Sequence, residues 1–134
     1  MTADTSAVIA ALSAWHEHHE VAAAALESVA ALPAHVVIES YSVLTRLPSG
    51  LAVPAELAAS VLARRFSQAP LRLDDEQQRS ALDTLVAAGV FGGSVYDGLV
   101  ALQAGANGRT LLTLDRRAQS TYQRLGTAFE VIAA

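Results

Sequence analysis

An α/β fold built on a parallel sheet is predicted for this 134-residue chain by three observations. Short apolar runs alternate with helical periods from one end to the other, an order that makes a parallel sheet with helices on both faces. Acidic residues follow several of those runs closely, and open α/β sheets place their ligands just there, outside the carboxyl ends of the strands. The composition is 52% hydrophobic and only 5% aromatic, rich in Ala, Val and Leu, which suits a packed core and argues against disorder. At this length one domain over residues 1–134 is expected.

The run MTA is a minimal first strand ending at Asp4. In TSAVIAALSAW, Val8, Ile9 and Leu12 fall at helical spacing, and Thr5 or Ser6 can cap that helix. His16, His18 and His19 in WHEHHE then read as a polar turn; His16 and His19 can share a helical face as zinc ligands do, but no third ligand is evident nearby. A second helix runs roughly from Glu20 to Ala30 and is ended by Pro33. HVVI reads as a buried parallel strand, after which Glu39 opens the helix ESYSVLTRL.

PSGLAVP is a loop, and Pro54 suits the start of the next helix, PAELAASVLARRF. LRL is a third strand. Asp74 or Asp75 caps DEQQRSALDTLVAAG, which Gly89 ends, and Asp83 within it reads as a solvated charge. VFGGS links to a helix with Ser94 as its cap and Asp97 in its first turn. TLLTL is the fourth strand, with Asp115, Arg116 and Arg117 just beyond it; QSTYQRLG is the last helix and FEVI a fifth strand. The expectation is about five short strands flanked by helices in three layers, α/β/α.

Asp4, Glu39, Asp97 and Asp115 are thereby brought toward one sheet edge. Converging carboxylates repel one another and have raised pKa values unless a cation neutralises them, so a divalent metal is the economical explanation. The formal net charge of -4 argues against a protein that coats nucleic acid by bulk electrostatics. It leaves a nuclease open, because a cation held by acids attracts phosphate and local arginines add to it. Arg116 and Arg117 can clamp a phosphate with forked hydrogen bonds, or stand as a solvated pair. The lack of Cys excludes disulfides and thiolate sites and fits a cytoplasmic protein. No apolar run approaches membrane-spanning length, and Asp4 stands where an export signal would want positive charge.

Four motifs in order, DTS, ESYSVLTRLP, YDGLVALQA and LLTLD, resemble the PIN-domain ribonucleases, and most closely the VapC toxins of bacterial toxin–antitoxin pairs. The resemblance covers the chain from Asp4 to the final strand. It implies a PIN-like fold and an endoribonuclease in which Asp4, Glu39, Asp97 and Asp115 hold Mg²⁺ or Mn²⁺ and a metal-activated water attacks an RNA phosphodiester. It further implies Ser6 and Thr113 as supporting polar groups, Arg46 as part of a family motif, a homodimer, and a VapB-like antitoxin that obstructs the acidic site. The first strand is shorter than the family pattern, and VFGGS is Gly-rich. The stretch from Leu51 to Phe66 carries more apolar residues than one buried helix face needs, which suits either a helix-in-groove partner or ordinary core.

Rival readings fail on single residues. Dehalogenase-like phosphatases need a second acid where this chain has Ser6, and they and receiver domains rely on a Lys; all nine basic residues counted as Lys or Arg are Arg. No phosphate-cradling GxxxxGK loop is present. A catalytically inactive PIN-like module that binds RNA or protein is the alternative, and loss of an acid would favour it; all four are present.

Overall fold

The computed structural model describes residues 1–133. Three strands, β1 (Thr2–Ala3), β2 (Leu111–Thr113) and β3 (Phe129–Val131), form a parallel sheet in that order. The register sets Thr2 against Leu111, and Leu111 through Thr113 against Phe129 through Val131. Around the sheet run α1 (Thr5–Leu12), α2 (His19–Ala25), α3 (Ala34–Thr45), α4 (Ala55–Arg65), α5 (Asp75–Ala87), α6 (Val95–Ala106) and α7 (Arg116–Arg124). The core gathers Val8, Leu26, Leu32, Val36, Leu111 and Tyr122, none more than 1% exposed. Among the described residues no helix is long and apolar enough to cross a membrane.

The α/β class holds, but the expected five strands are corrected to three among the described residues. HVVI lies inside α3, with Val36 buried, Val37 partly buried and Ile38 68% exposed, the gradation of a helix turning one face to the core. Packing of that face outweighs the modest β preference of branched side chains. The chain is extended just before it. Pro33 forms an isolated parallel bridge with Leu71, where Ala34 donates its N–H to Leu71 at 2.9 Å and Leu71 donates to Leu32 at 2.8 Å. The LRL segment is reduced to that single bridge. Glu39 consequently sits in the middle of α3 and not in its first turn.

Several ends also differ in detail. Asp4, not Thr5 or Ser6, caps α1, by accepting from the Ala7 N–H. Helix α2 stops at Ala25, and Ser94 makes no capping bond, its hydroxyl donating instead to the Phe91 carbonyl at 2.9 Å within a 3₁₀ turn, Gly92–Ser94. The last helix starts earlier than expected, so that Arg116 and Arg117 form its first turn and Asp115 caps it. Asp74 caps α5 in a reciprocal box with Gln77, and Gly89 takes the left-handed conformation (φ 71°) that a helix end favours.

Although β1 has two residues, it is held on both sides. Thr2 donates its N–H to Thr110 at 2.9 Å and Asp4 donates to Leu112 at 3.0 Å, while the buried Thr2 hydroxyl donates to the Ala31 carbonyl at 2.8 Å. The last bond ties the strand to the turn after α2. Thr2→Val keeps the shape and strands that buried carbonyl, and it is expected to lower unfolding free energy by about 1–3 kcal/mol. Urea denaturation of the two proteins checks this; equal midpoints would mean the bond is not holding the strand.

Candidate active site

Two parallel strands deliver two acids directly. Asp4 follows β1 and caps α1; Asp115 follows β2 and caps α7, accepting from the Arg117 N–H at 2.9 Å and the Ala118 N–H at 3.4 Å. Capping fixes both carboxylates, because each satisfies backbone donors that a helix start leaves free. Asp97 comes from the first turn of α6, and Glu39 from α3, which packs on both α1 and α6.

Asp4 is 4% exposed, and its carboxylate is met from several elements. One oxygen accepts from the Ser6 hydroxyl at 2.6 Å and the Ala7 N–H at 3.2 Å, the other from the Tyr122 hydroxyl at 2.8 Å. Burial raises its pKa, and hydrogen bonds from Ser6, Thr113, Tyr122 and the Ala7 backbone oppose that rise. Tyr122 is raised in turn, first by burial and then by the negative charge of Asp4.

Ser6 and Thr113 both make hydrogen bonds beside the strand ends. Ser6 accepts from the Leu114 N–H at 2.9 Å while donating to Asp4, so it bridges the end of β2 to the start of α1. Thr113 is fully buried and accepts from the Asp115 N–H at 3.0 Å. Thr5 donates its hydroxyl to Glu39, and the His35 ring nitrogen Nε2 stands 3.6 Å from the other Glu39 oxygen.

Asp97 reports the electrostatics of the group. Its pKa is raised to about 6, first by burial and then by the charges of Asp115, Asp4 and Glu39, with His35 acting the other way. The four sequence-predicted acids therefore share one field. They do not form a closed cage: among the described residues, no three His, Asp or Glu side chains are close enough to enclose a metal by themselves. Hard oxygen donors are what Mg²⁺ prefers, and it binds through one or two carboxylates and keeps several waters.

A cleft of about 630 Å³ runs from this edge, lined among others by Thr5, Ser6, His16, His18, Arg116 and Arg117. The two arginines are exposed. The histidine segment is the polar turn expected of it. His19 donates its Nδ1 proton to the Ala10 carbonyl at 2.9 Å, and His16 accepts the His18 N–H on Nδ1 at 3.0 Å, so a neutral His16 carries its proton on Nε2. Arg46 lies at the end of α3 and donates to Ser42 at 3.3 Å, and Asp83 is exposed on α5. A second cavity of about 320 Å³, lined by residues such as Ser80, Thr84, Gly105 and Thr127, contains none of the four acids.

Sequence reasoning missed Tyr122, Thr5 and His35. Tyr122 shows in the sequence only as one more apolar position of the last helix, and nothing local marks the buried carboxylate it meets, 118 residues away.

The PIN domain family profile matches residues 1–124. Ribonuclease VapC40 of Mycobacterium tuberculosis, in strains CDC 1551 / Oshkosh and H37Rv, is 42% identical over 129 residues, covering 96% of this chain and 96% of its own. Ribonuclease VapC27 of strain H37Rv is 40% identical over 124 residues, covering 92% of this chain and 83% of its own. With a family profile that matches residues 1–124 and relatives at 40–42% identity spanning nearly its whole length, the chain belongs to the PIN domain family.

Proposed function

We infer that this chain is a metal-dependent endoribonuclease, the toxin of a toxin–antitoxin pair, and that residues 1–134 act as one domain. The observation that carries the reading is Asp97, half-buried and raised to about 6 by burial and three neighbouring carboxylates, an arrangement that is relieved by a cation. The VapC ribonucleases named above support the RNA substrate and a VapB-like antitoxin as partner.

Asp4, Glu39, Asp97 and Asp115 would hold Mg²⁺ or Mn²⁺. When bound, the ion supplies a water that is nucleophilic near neutral pH and positive charge for the phosphate oxygens. Ser6 and Thr113 keep the Asp4 and Asp115 carboxylates in register with the strand ends through the bonds described above. Arg116 and Arg117 bind phosphate along the cleft. Two cations in the first turn of a helix oppose its macrodipole, so helix stability does not account for them. A guanidinium fork matches the oxygens of a phosphodiester.

The partners proposed are single-stranded RNA, a second copy of the chain, and the antitoxin, all met in the cytoplasm. Leu51 and Leu57, 39% and 49% exposed beside the buried Ala58 and Leu62, leave apolar surface on and before α4 for a protein partner.

Asp97→Asn is expected to reduce cleavage of a cellular RNA pool by more than the roughly 10- to 100-fold that losing an outer-shell partner costs. Its melting temperature should not fall. Wild-type activity must require Mg²⁺ or Mn²⁺ and vanish with chelator. A folded variant that still cuts, or cleavage in chelator, would remove Asp97 from the chemistry.

The pH dependence of stability follows from the same residue. A carboxylate raised from 3.8 to about 6 binds its proton more tightly folded than unfolded, so its contribution is fully present below 3.8 and is lost as pH rises through about 6. In chelator, wild-type stability should therefore decline between these values more steeply than that of Asp97→Asn, although raised Asp4 contributes to both. Parallel curves would show that Asp97 is not strained by its neighbours.

Arg116→Ala combined with Arg117→Ala should raise KM and flatten the salt dependence of RNA binding, with a loss of slope of about 1 for each phosphate contact removed. Unchanged KM and slope would leave the pair as solvated charges.

A further inference from the structure

Beside the acids lie two aromatic rings for which the hydrolysis has no use. His35, in the first turn of α3, and Tyr96, in the first turn of α6, stack with centroids 5.5 Å apart and planes 13° from parallel. Tyr96 directly precedes Asp97, and His35 lies one helical turn before Glu39, so the stack adjoins two of the four acids. The His35 ring is the more enclosed of the two. The His35 side chain is 23% exposed, its Nε2 is 3.6 Å from Glu39, and its backbone N–H donates to the buried side chain of Gln103 at 3.0 Å. Tyr96 by contrast is 60% exposed, although one side of its ring is taken by His35.

We propose that the His35–Tyr96 stack is a nucleobase platform, on which Tyr96 receives an unstacked base of single-stranded RNA adjoining the phosphate held at the acids. The proposal rests on the ribonuclease reading and deepens it by assigning a base subsite. A π-face offered to solvent beside a phosphate-directed site is what base–aromatic stacking needs, and it tolerates any base because each has such a face. A ring already stacked and anchored below loses little freedom when a third ring joins the column. The surroundings favour a base over an aliphatic side chain of a protein. An aliphatic group there would desolvate Asp97 and Glu39 with nothing in return, whereas the polar edge of a stacked base stays hydrated beside them.

The test uses the full chain and a short RNA copied from its strongest cleavage site in a cellular RNA pool. Tyr96→Leu keeps the apolar cover over His35 and removes the π-face; Tyr96→Phe keeps the face. Tyr96→Leu is expected to raise KM by about 5- to 150-fold, the range base–aromatic stacking spans, with a smaller change in kcat. Tyr96→Phe should stay within about twofold of wild type, since the stack and not the hydroxyl carries the contact. Ultraviolet crosslinking of the same RNA to wild-type protein should place the adduct on the peptide containing Tyr96 or His35. Wild-type cleavage with unchanged KM in Tyr96→Leu, or an adduct only elsewhere, overturns the platform and leaves the nuclease standing. A wild-type protein that cuts no RNA overturns both.

Discussion

A carboxylate buried to 4% exposure has to be satisfied by the fold around it, and Asp4 is satisfied directly by α1, through Ser6 by the turn after β2, and directly by Tyr122 of α7. Ser6 carries the link between the first two, donating to Asp4 and accepting from Leu114. Tyr122, the largest fully buried side chain among the described residues, carries the link to α7. The hydrophobic core and the acidic edge are therefore joined through one phenol, and the position of the first acid is determined by core packing as much as by the short strand before it. Removing the Asp4 side chain would strip α1 of its cap and leave the Tyr122 hydroxyl buried without an acceptor, two separate losses of about 1 kcal/mol or more. Asp97 has no such duties, which makes it the cleaner point at which to separate chemistry from stability.

Much of this site was legible from the order of residue types. Asp4 and Asp115 each follow a short apolar strand, Asp97 opens a helix, and these placements survive in the structure because strand ends and helix caps are local events. Glu39 follows a run that does not form the strand its pattern suggests. Its motif pointed to it, but HVVI, read as the strand before it, is the first half of α3, and a β-branched run of that length cannot be told from a buried helix segment by pattern alone. LRL was overread in the same way; one bridge to Pro33 is all that forms.

The interactions that orient the acids were not legible. Thr5 meets Glu39 across 34 residues and Ser6 meets Leu114 across 108, and neither pairing has a signature in spacing or composition. The same holds for His35, whose role depends on α3 and α6 packing so that its ring falls on Tyr96. Local sequence marks which groups carry charge; the long-range packing determines which neutral groups hold them.

The pairing of Thr2 with Leu111 has a consequence for the order in which the chain can assemble. The first strand has no strand partner among the described residues until residue 111 has been made, and Asp115 arrives only after that. During synthesis at about 5–20 residues per second, helices can form as they emerge, while the parallel pairing must wait for a distant segment. The shared field of the four carboxylates is thus a property of the finished fold alone. A nascent chain, or one cut before β2, possesses Asp4, Glu39 and Asp97 without the surface that brings them together.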